Sequence, residues 1–204
     1  MKKLMLTVVF TLGAIVTSNA QADSDLVQIG AKGGVNFATV AGDDFDSPDS
    51  RTSFNAGLVA EVPYSERFSL QAEVFYSGQG FKVDDINFGD LNIDTDKVEY
   101  QLDYIQVPLL AKFYLIEGLN IYAGPQIGFK VNEKIDYEAG GSTDVDDTLF
   151  PEAQDFDFSG TVGAGYKFDN GFFVDARYNY GFSDLVKDTK SHNSVIQAGV
   201  GLMF

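Results

Sequence analysis

The sequence predicts an all-β protein: an eight-stranded, antiparallel, transmembrane up-and-down barrel behind a cleavable leader. Three observations carry this. Windows of about ten residues, rich in Phe (18), Tyr (10), Val and Gly (21), alternate between apolar and polar. The polar stretches between them alternate in length, long then short. The final segment, 192–204, places Ile196, Ala198, Val200, Leu202 and Phe204 on one face and stops inside that pattern. A closed barrel in a bilayer leaves no unpaired edge, so it can end on an apolar strand.

The N-terminus reads as a secretory signal peptide. Lys2 and Lys3 precede an apolar run, Leu4 to Val16, and the segment ends Ala20-Gln21-Ala22. That is an A-x-A site, placing the leader at 1–22 and the barrel domain at 23–204. No other stretch approaches 18 apolar residues, so no membrane helix is expected. Cys is absent, so an exported domain of this size has no disulfides to stabilise it. Closed β-hydrogen bonding is an alternative source of stability. The net charge is −16, and losing Lys2 and Lys3 with the leader makes it −18. Such an acidic chain is not a nucleic-acid binder. Seventeen of the 30 acids fall in 40–51, 81–98 and 132–155, which reads as acidic loops.

The expected strands are 26–39, 52–62, 67–80, 99–114, 119–131, 156–168, 172–183 and 192–204. Long connections follow the first, third and fifth, and one of intermediate length, 184–191, follows the seventh. Short turns follow the others: Pro63 to Glu66, Leu115 to Gly118, and Asp169-Asn170-Gly171, where Asn-Gly is a strong hairpin signal. Long and short in alternation is the pattern of an outer-membrane barrel with external loops and short periplasmic turns. An even strand number puts both termini on the periplasmic side.

The distribution of charge between faces is the sharpest test. In 172–183, Phe172, Val174, Ala176, Tyr178, Tyr180 and Phe182 oppose Phe173, Asp175, Arg177 and Asn179. In 67–80, Phe68, Leu70, Ala72, Val74 and Tyr76 oppose Ser69, Gln71, Glu73 and Ser77. Taken over all strands, Lys32, Glu61, Glu73, Lys112, Lys130, Lys167, Asp175 and Arg177 share the polar face. The other face carries no charge at membrane depth. A basic side chain on a lipid face at the midplane costs roughly 2–4 kcal/mol, so this segregation fits lipid outside and a polar lumen inside. Eight strands leave an interior that side chains can fill. The eight charges are therefore expected to form a polar plug, with Glu73 and Glu61 paired to Arg177, Lys112 or Lys32. A narrow pore for ions or small solutes is the alternative. Pro108 and Pro125 each remove a ladder bond from a central strand, and bulges or bends are expected there.

Several segments resemble one family. Asp103-Tyr104-Ile105-Gln106-Val107-Pro108-Leu109-Leu110-Ala111-Lys112 is similar to its Y-(L/I)-(E/Q)-(I/V)-P-L-L-x-K strand. Ile121 to Gly128, Asp175 to Gly181 and Gly30 to Phe37 resemble three more of its strands. The family is the small outer-membrane barrel group labelled "porin family" or PorT-like, similar in architecture to OmpA-type eight-stranded barrels. The resemblance covers the mature chain. It implies the fold and the bacterial outer membrane as location, with no agreed activity. A terminal aromatic such as Phe204 resembles the signal read by the outer-membrane assembly machinery. The expected partners are that machinery, outer-membrane lipid and lipopolysaccharide, and the barrel is expected to be a monomer without cofactor.

Two further motifs point to chemistry only weakly. Asp90, Asn92, Asp94 and Asp96 have calcium-loop spacing, but Thr95 stands where Gly is required and Gln101 where the closing Glu belongs. Asp144, Asp146 and Asp147 form a second acidic cluster. Solvated carboxylates, with no metal, are the expected state of both. His192 and Ser194 share a strand face, as in certain outer-membrane lipid A deacylases. No orienting carboxylate accompanies them in the sequence, and catalysis is not expected. Trp is absent, so an interfacial girdle must be Tyr and Phe. Tyr64, Tyr114 and Tyr166 are its expected members at the periplasmic side.

Overall fold

The computed structural model describes residues 27–41, 49–87, 94–137, 141–143, 154–183 and 192–204. The expected leader, 1–22, lies outside them. The strands are β1 (Gln28–Ala41), β2 (Asp49–Pro63), β3 (Phe68–Asn87), β4 (Asp94–Tyr114), β5 (Leu119–Tyr137), a short β6 (Gly141–Thr143), β7 (Phe156–Lys167), β8 (Phe172–Gly181) and β9 (His192–Met203). Apart from β6, each long strand pairs antiparallel with its neighbours in sequence, and β6 only adds to the outer part of β5. The sheet closes where β1 meets β9, from Gly30↔Met203 to Ala41↔His192. Eight strands thus form a barrel with no free edge at its waist.

The short turns stand at the end of the barrel that carries Gln28 and Phe204, here termed the turn end. Opposite is the loop end. The turn after β7 uses three residues: Phe168 N–H donates to Phe172 O at 2.8 Å and Gly171 N–H to Phe168 O at 3.0 Å. Gly171 takes φ +82°, the left-handed position that closes such a hairpin. Asn-Gly therefore marks the hairpin, with Asn170 inside a three-residue loop. Gly118 does the same after β4, at φ +80°.

β3, β4 and β5 are longer than the expected strands. A spanning strand needs only about 9–11 residues, while these have 20, 21 and 19. Their loop-end parts pair with each other from Lys82↔Glu99 to Asn87↔Asp94 and from Asp103↔Asn132 to Val98↔Tyr137. Much of what reads as acidic loop in 81–98 and 132–155 is therefore a β-ladder standing beyond the barrel waist. Ladder bonds outweigh the low strand propensity of its acids because the register is already set by the strands below. Asp94 and Asp96 belong to β4 and are held extended. Asp90, Asp144, Asp146 and Asp147 lie outside the described residues.

The prolines are accommodated without the expected bulges. Register is unchanged across them: Ala72↔Leu109 and Phe75↔Gln106 flank Pro108 on one side, while Pro108↔Gln126 and Ala111↔Ala123 frame Pro125 on the other. The ladder omits the rungs between. A Cβ at Gly124 would lie 2.0 Å from Leu109 O, so glycine there lets the strands approach. The register shifts occur elsewhere, between Ser50 and Asn55 in β2 and opposite Asp103/Tyr104, where Val131 is the extra residue.

The outer face is apolar and exposed, with Leu58 62% and Ile196 55% accessible and Val35, Leu109, Ile121, Val162 and Val200 alike. Such a belt encircling a closed sheet fits hydrocarbon, not water. The inner face is buried and mostly polar, with two apolar clusters. Val59, Phe173 and Met203 pack at the turn end. Val40, Leu102 and Tyr104 pack at the loop end, with Phe81 and Tyr100 against them.

Candidate functional site

Because side chains alternate along a strand, every second residue of each strand enters one lumen. Its width makes inward residues compete for space. Large ones stand beside glycines: a Cβ at Gly163 would meet the Tyr122 ring at 2.6 Å, and one at Gly201 the Phe173 ring at 2.3 Å. This pairing of small with large residues fills a narrow barrel.

Two charged layers cross the lumen. In the middle, Arg177 grips Glu73 with both terminal nitrogens, at 2.9 and 2.8 Å. Lys32 donates to the same carboxylate at 3.1 Å, and Gln71 at 2.6 Å. Arg177 also donates to Asp175 at 2.9 and 3.0 Å, and Tyr122 donates to Asp175 at 2.7 Å. The side chains of Glu73 and Arg177 are 0% and 1% exposed. Two cations face two anions, so the layer is neutral. Aromatic faces complete it, with Lys32 Nζ 5.1 Å from the Phe75 centroid and Arg177 5.4 Å from that of Tyr122. Buried charges cost little only when paired and hydrogen-bonded in this manner.

The second layer lies nearer the turn end. Glu61 is bridged by Lys112 at 3.1 Å and Lys167 at 3.6 Å. Tyr114 donates to it at 2.6 Å. Tyr114 therefore turns into the lumen and does not join the girdle expected from the sequence: it shares the parity of Lys112, two residues before it. Tyr64 and Tyr166 are exposed on the outside. On the loop side of the middle layer, Asn36 Oδ1 accepts from Asn55 at 2.5 Å and Gln197 at 3.0 Å. Lys130 pairs with Glu133 and with Asp155, the latter at 3.6 Å.

Each of the eight charges read from the sequence thus points into the lumen and meets an opposite charge. Glu133 is a partner the sequence reading missed. Simple alternation from Lys130 puts Glu133 on the outer face, but the bulge at Val131 inverts the parity and brings it inside. The i, i+3 spacing to Lys130 was its only sequence trace.

His192 and Ser194 lie on the outer face at the loop end and hold different partners. His192 Nδ1 is 3.3 Å from Ser183 O, and its ring lies tilted against that of Tyr180, with centroids 5.7 Å apart. Ser194 Oγ is 3.1 Å from Tyr178 Oη. Asp157, a buried acid at that end, accepts from Ser183 Oγ at 3.4 Å. Among the described residues no cluster of His, Cys, Asp or Glu is arranged to hold a metal. Phe204 follows β9, is 79% exposed, and donates its N–H to Ile29 O at 2.7 Å.

A closed antiparallel barrel, apolar outside and filled by paired charges inside, defines an integral membrane protein of the outer-membrane barrel class. Residues 19–187 match the outer membrane protein beta-barrel domain, and the chain belongs to that family. Its location is accordingly the bacterial outer membrane. No curated protein matches it in sequence. Among solved structures it is similar to Neisserial surface protein A, with 15% identity over 86% of this chain and 97% of that one and a TM-score of 0.58. It also resembles Ail, the attachment invasion locus protein of Yersinia pestis (18% identity, 87% and 98% coverage, TM-score 0.49) and OprG of Pseudomonas aeruginosa (13%, 88% and 96%, 0.46). At these identities the likeness establishes the fold alone.

Proposed function

We propose that this protein is a monomeric structural or surface-exposed barrel whose lumen is closed to solutes. Its termini face the periplasm and its long acidic connections face outward. The observation that carries this reading is the neutral middle layer. Arg177, Glu73, Lys32 and Asp175 consume one another's charge and fill the lumen's section, and an apolar cluster lies on either side. A permeating ion would have to break several buried hydrogen bonds at once.

The outer face supports lipid and lipopolysaccharide as neighbours, and the acidic connections are the surface on which variable contacts would form. Phe204 is the residue we assign to recognition by the assembly machinery. Catalysis is not part of this reading, since His192 and Ser194 each engage a different neighbour. Planar-bilayer recording of the purified protein tests it. No single-channel steps above background are expected, and stable steps would overturn the closed lumen in favour of a narrow pore. Unchanged lipid A acylation in cells expressing the protein, by mass spectrometry, is the matching expectation for chemistry.

A further inference from the structure

Among the described residues, seven buried side-chain oxygens and two nitrogens have no hydrogen-bond partner, and three of the oxygens, Gln71 Oε1, Asn120 Oδ1 and Asp175 Oδ1, belong to residues that share one cavity. Their orientation is fixed by what the rest of each side chain does. Gln71 Nε2 donates to Glu73, Asn120 Nδ2 donates to Gly118 O at 3.0 Å, and Asp175 Oδ2 receives Tyr122 and Arg177. All three residues line one small cavity of about 10 Å³, together with Lys112, Lys167 and Arg177. That is the space of a single water. Buried acceptors are rarely left unpaired, and a cation is disfavoured with three basic groups in the wall.

We propose that Gln71, Asn120 and Asp175 hold one internal water, which joins the Glu61 layer to the Glu73 layer. Water is the ligand that fits. It donates two protons to two of the three oxygens and accepts from Lys112 or Lys167, whose ammonium groups have N–H to spare beyond Glu61. Lys167 lines both this cavity and a vestibule of about 1140 Å³ at the turn end, which makes that side the shorter route for exchange with solvent. At the loop end, Val40, Leu102 and Tyr104 pack as an apolar cluster. The site rests on the closed-lumen reading, because in an open pore this water would be bulk.

Glycine shapes the cavity. Asn120, Gly165 and Asp175 lie on one rung across β5, β7 and β8. A Cβ at Gly165 would stand 3.3 Å from Asn120 Oδ1, 3.4 Å from Asp175 Cβ and 3.0 Å from Val174 O. Gly165→Ala therefore fills the water's place.

Water-edited solid-state NMR of the full barrel in lipid bilayers tests this. Early transfer from water is expected at the Gln71 and Asn120 side-chain amides, with Leu102 and Tyr104 dry. Loss of that transfer is expected in Gly165→Ala. Absence of transfer in the unmodified protein, transfer unchanged in Gly165→Ala, or early transfer spreading to Leu102 and Tyr104 would each overturn the site. Should Gly165→Ala not fold, Asn120→Leu removes one acceptor, and loss at Gln71 is then expected; unchanged transfer there overturns the site. Single-channel steps with the water signal still confined to Gln71 and Asn120 would fail the closed-lumen reading while supporting the site.

Discussion

At the scale of residues, the lumen is held by a few charges with several partners each. Glu73 accepts from Arg177, Lys32 and Gln71, all in a volume that bulk water does not reach. Removing one partner of a buried pair strands the other charge, at about 3–5 kcal/mol. Arg177→Met is expected to destabilise the barrel by roughly that amount, read as a lowered urea midpoint for unfolding from lipid vesicles. The double variant Glu73→Gln/Arg177→Met should recover part of the loss, since no unpaired carboxylate remains. A double variant no better than the single one would show that the pairing is not the source of the effect. The inward direction of both residues was legible in the sequence, from alternation alone. Their contact was one of several pairings that alternation left open: they are 104 residues apart, and only the stagger between β3 and β8 brings them to one height.

At the scale of elements, period-two alternation decides which environment each side chain meets. β2 places Leu58 outward in mid-strand, flanked by Gly57 and the inward Val59. Leu58→Arg is expected to cost about 2–4 kcal/mol in vesicle refolding, well beyond the cost of Leu58→Ala; equal costs would count against a lipid-facing Leu58. The sequence misleads where alternation is interrupted or continued unexpectedly. The bulge at Val131 sends Glu133 inside, and the ladders above Lys82↔Glu99 and Asp103↔Asn132 turn acidic loop sequence into strand. Neither is a local property. A bulge is visible only against the strand it pairs with, and a polar strand is stabilised by a neighbour already in register. Tyr114 was misread for a different reason: it obeys the parity of Lys112, but an aromatic near a strand end also suits an interface.

At the scale of the whole molecule, the barrel exists because β9 returns to β1. Twelve rungs join them, and Phe204 N–H adds a bond to Ile29 O at 2.7 Å. A chain lacking Phe204 keeps those rungs and both charged layers. It is expected to reach the outer membrane at several-fold lower yield while the inserted fraction keeps its heat-modifiable gel mobility. Normal yield on deletion would remove Phe204 from assembly. Fractionation of the intact protein checks the architecture itself, and recovery only from the soluble periplasm would contradict it.

The sequence by itself determined the fold class, the strand number in the barrel, the places of the short turns, and the face on which each of the eight charges lies. All follow from periodicity and from the cost of placing charge in hydrocarbon, which act residue by residue. Tertiary structure decided which charge meets which, where parity inverts, how far the strands extend beyond the waist, and which three oxygens surround one cavity. These depend on register between strands distant in sequence. A slip of a single residue would preserve the composition of every strand and change every partner.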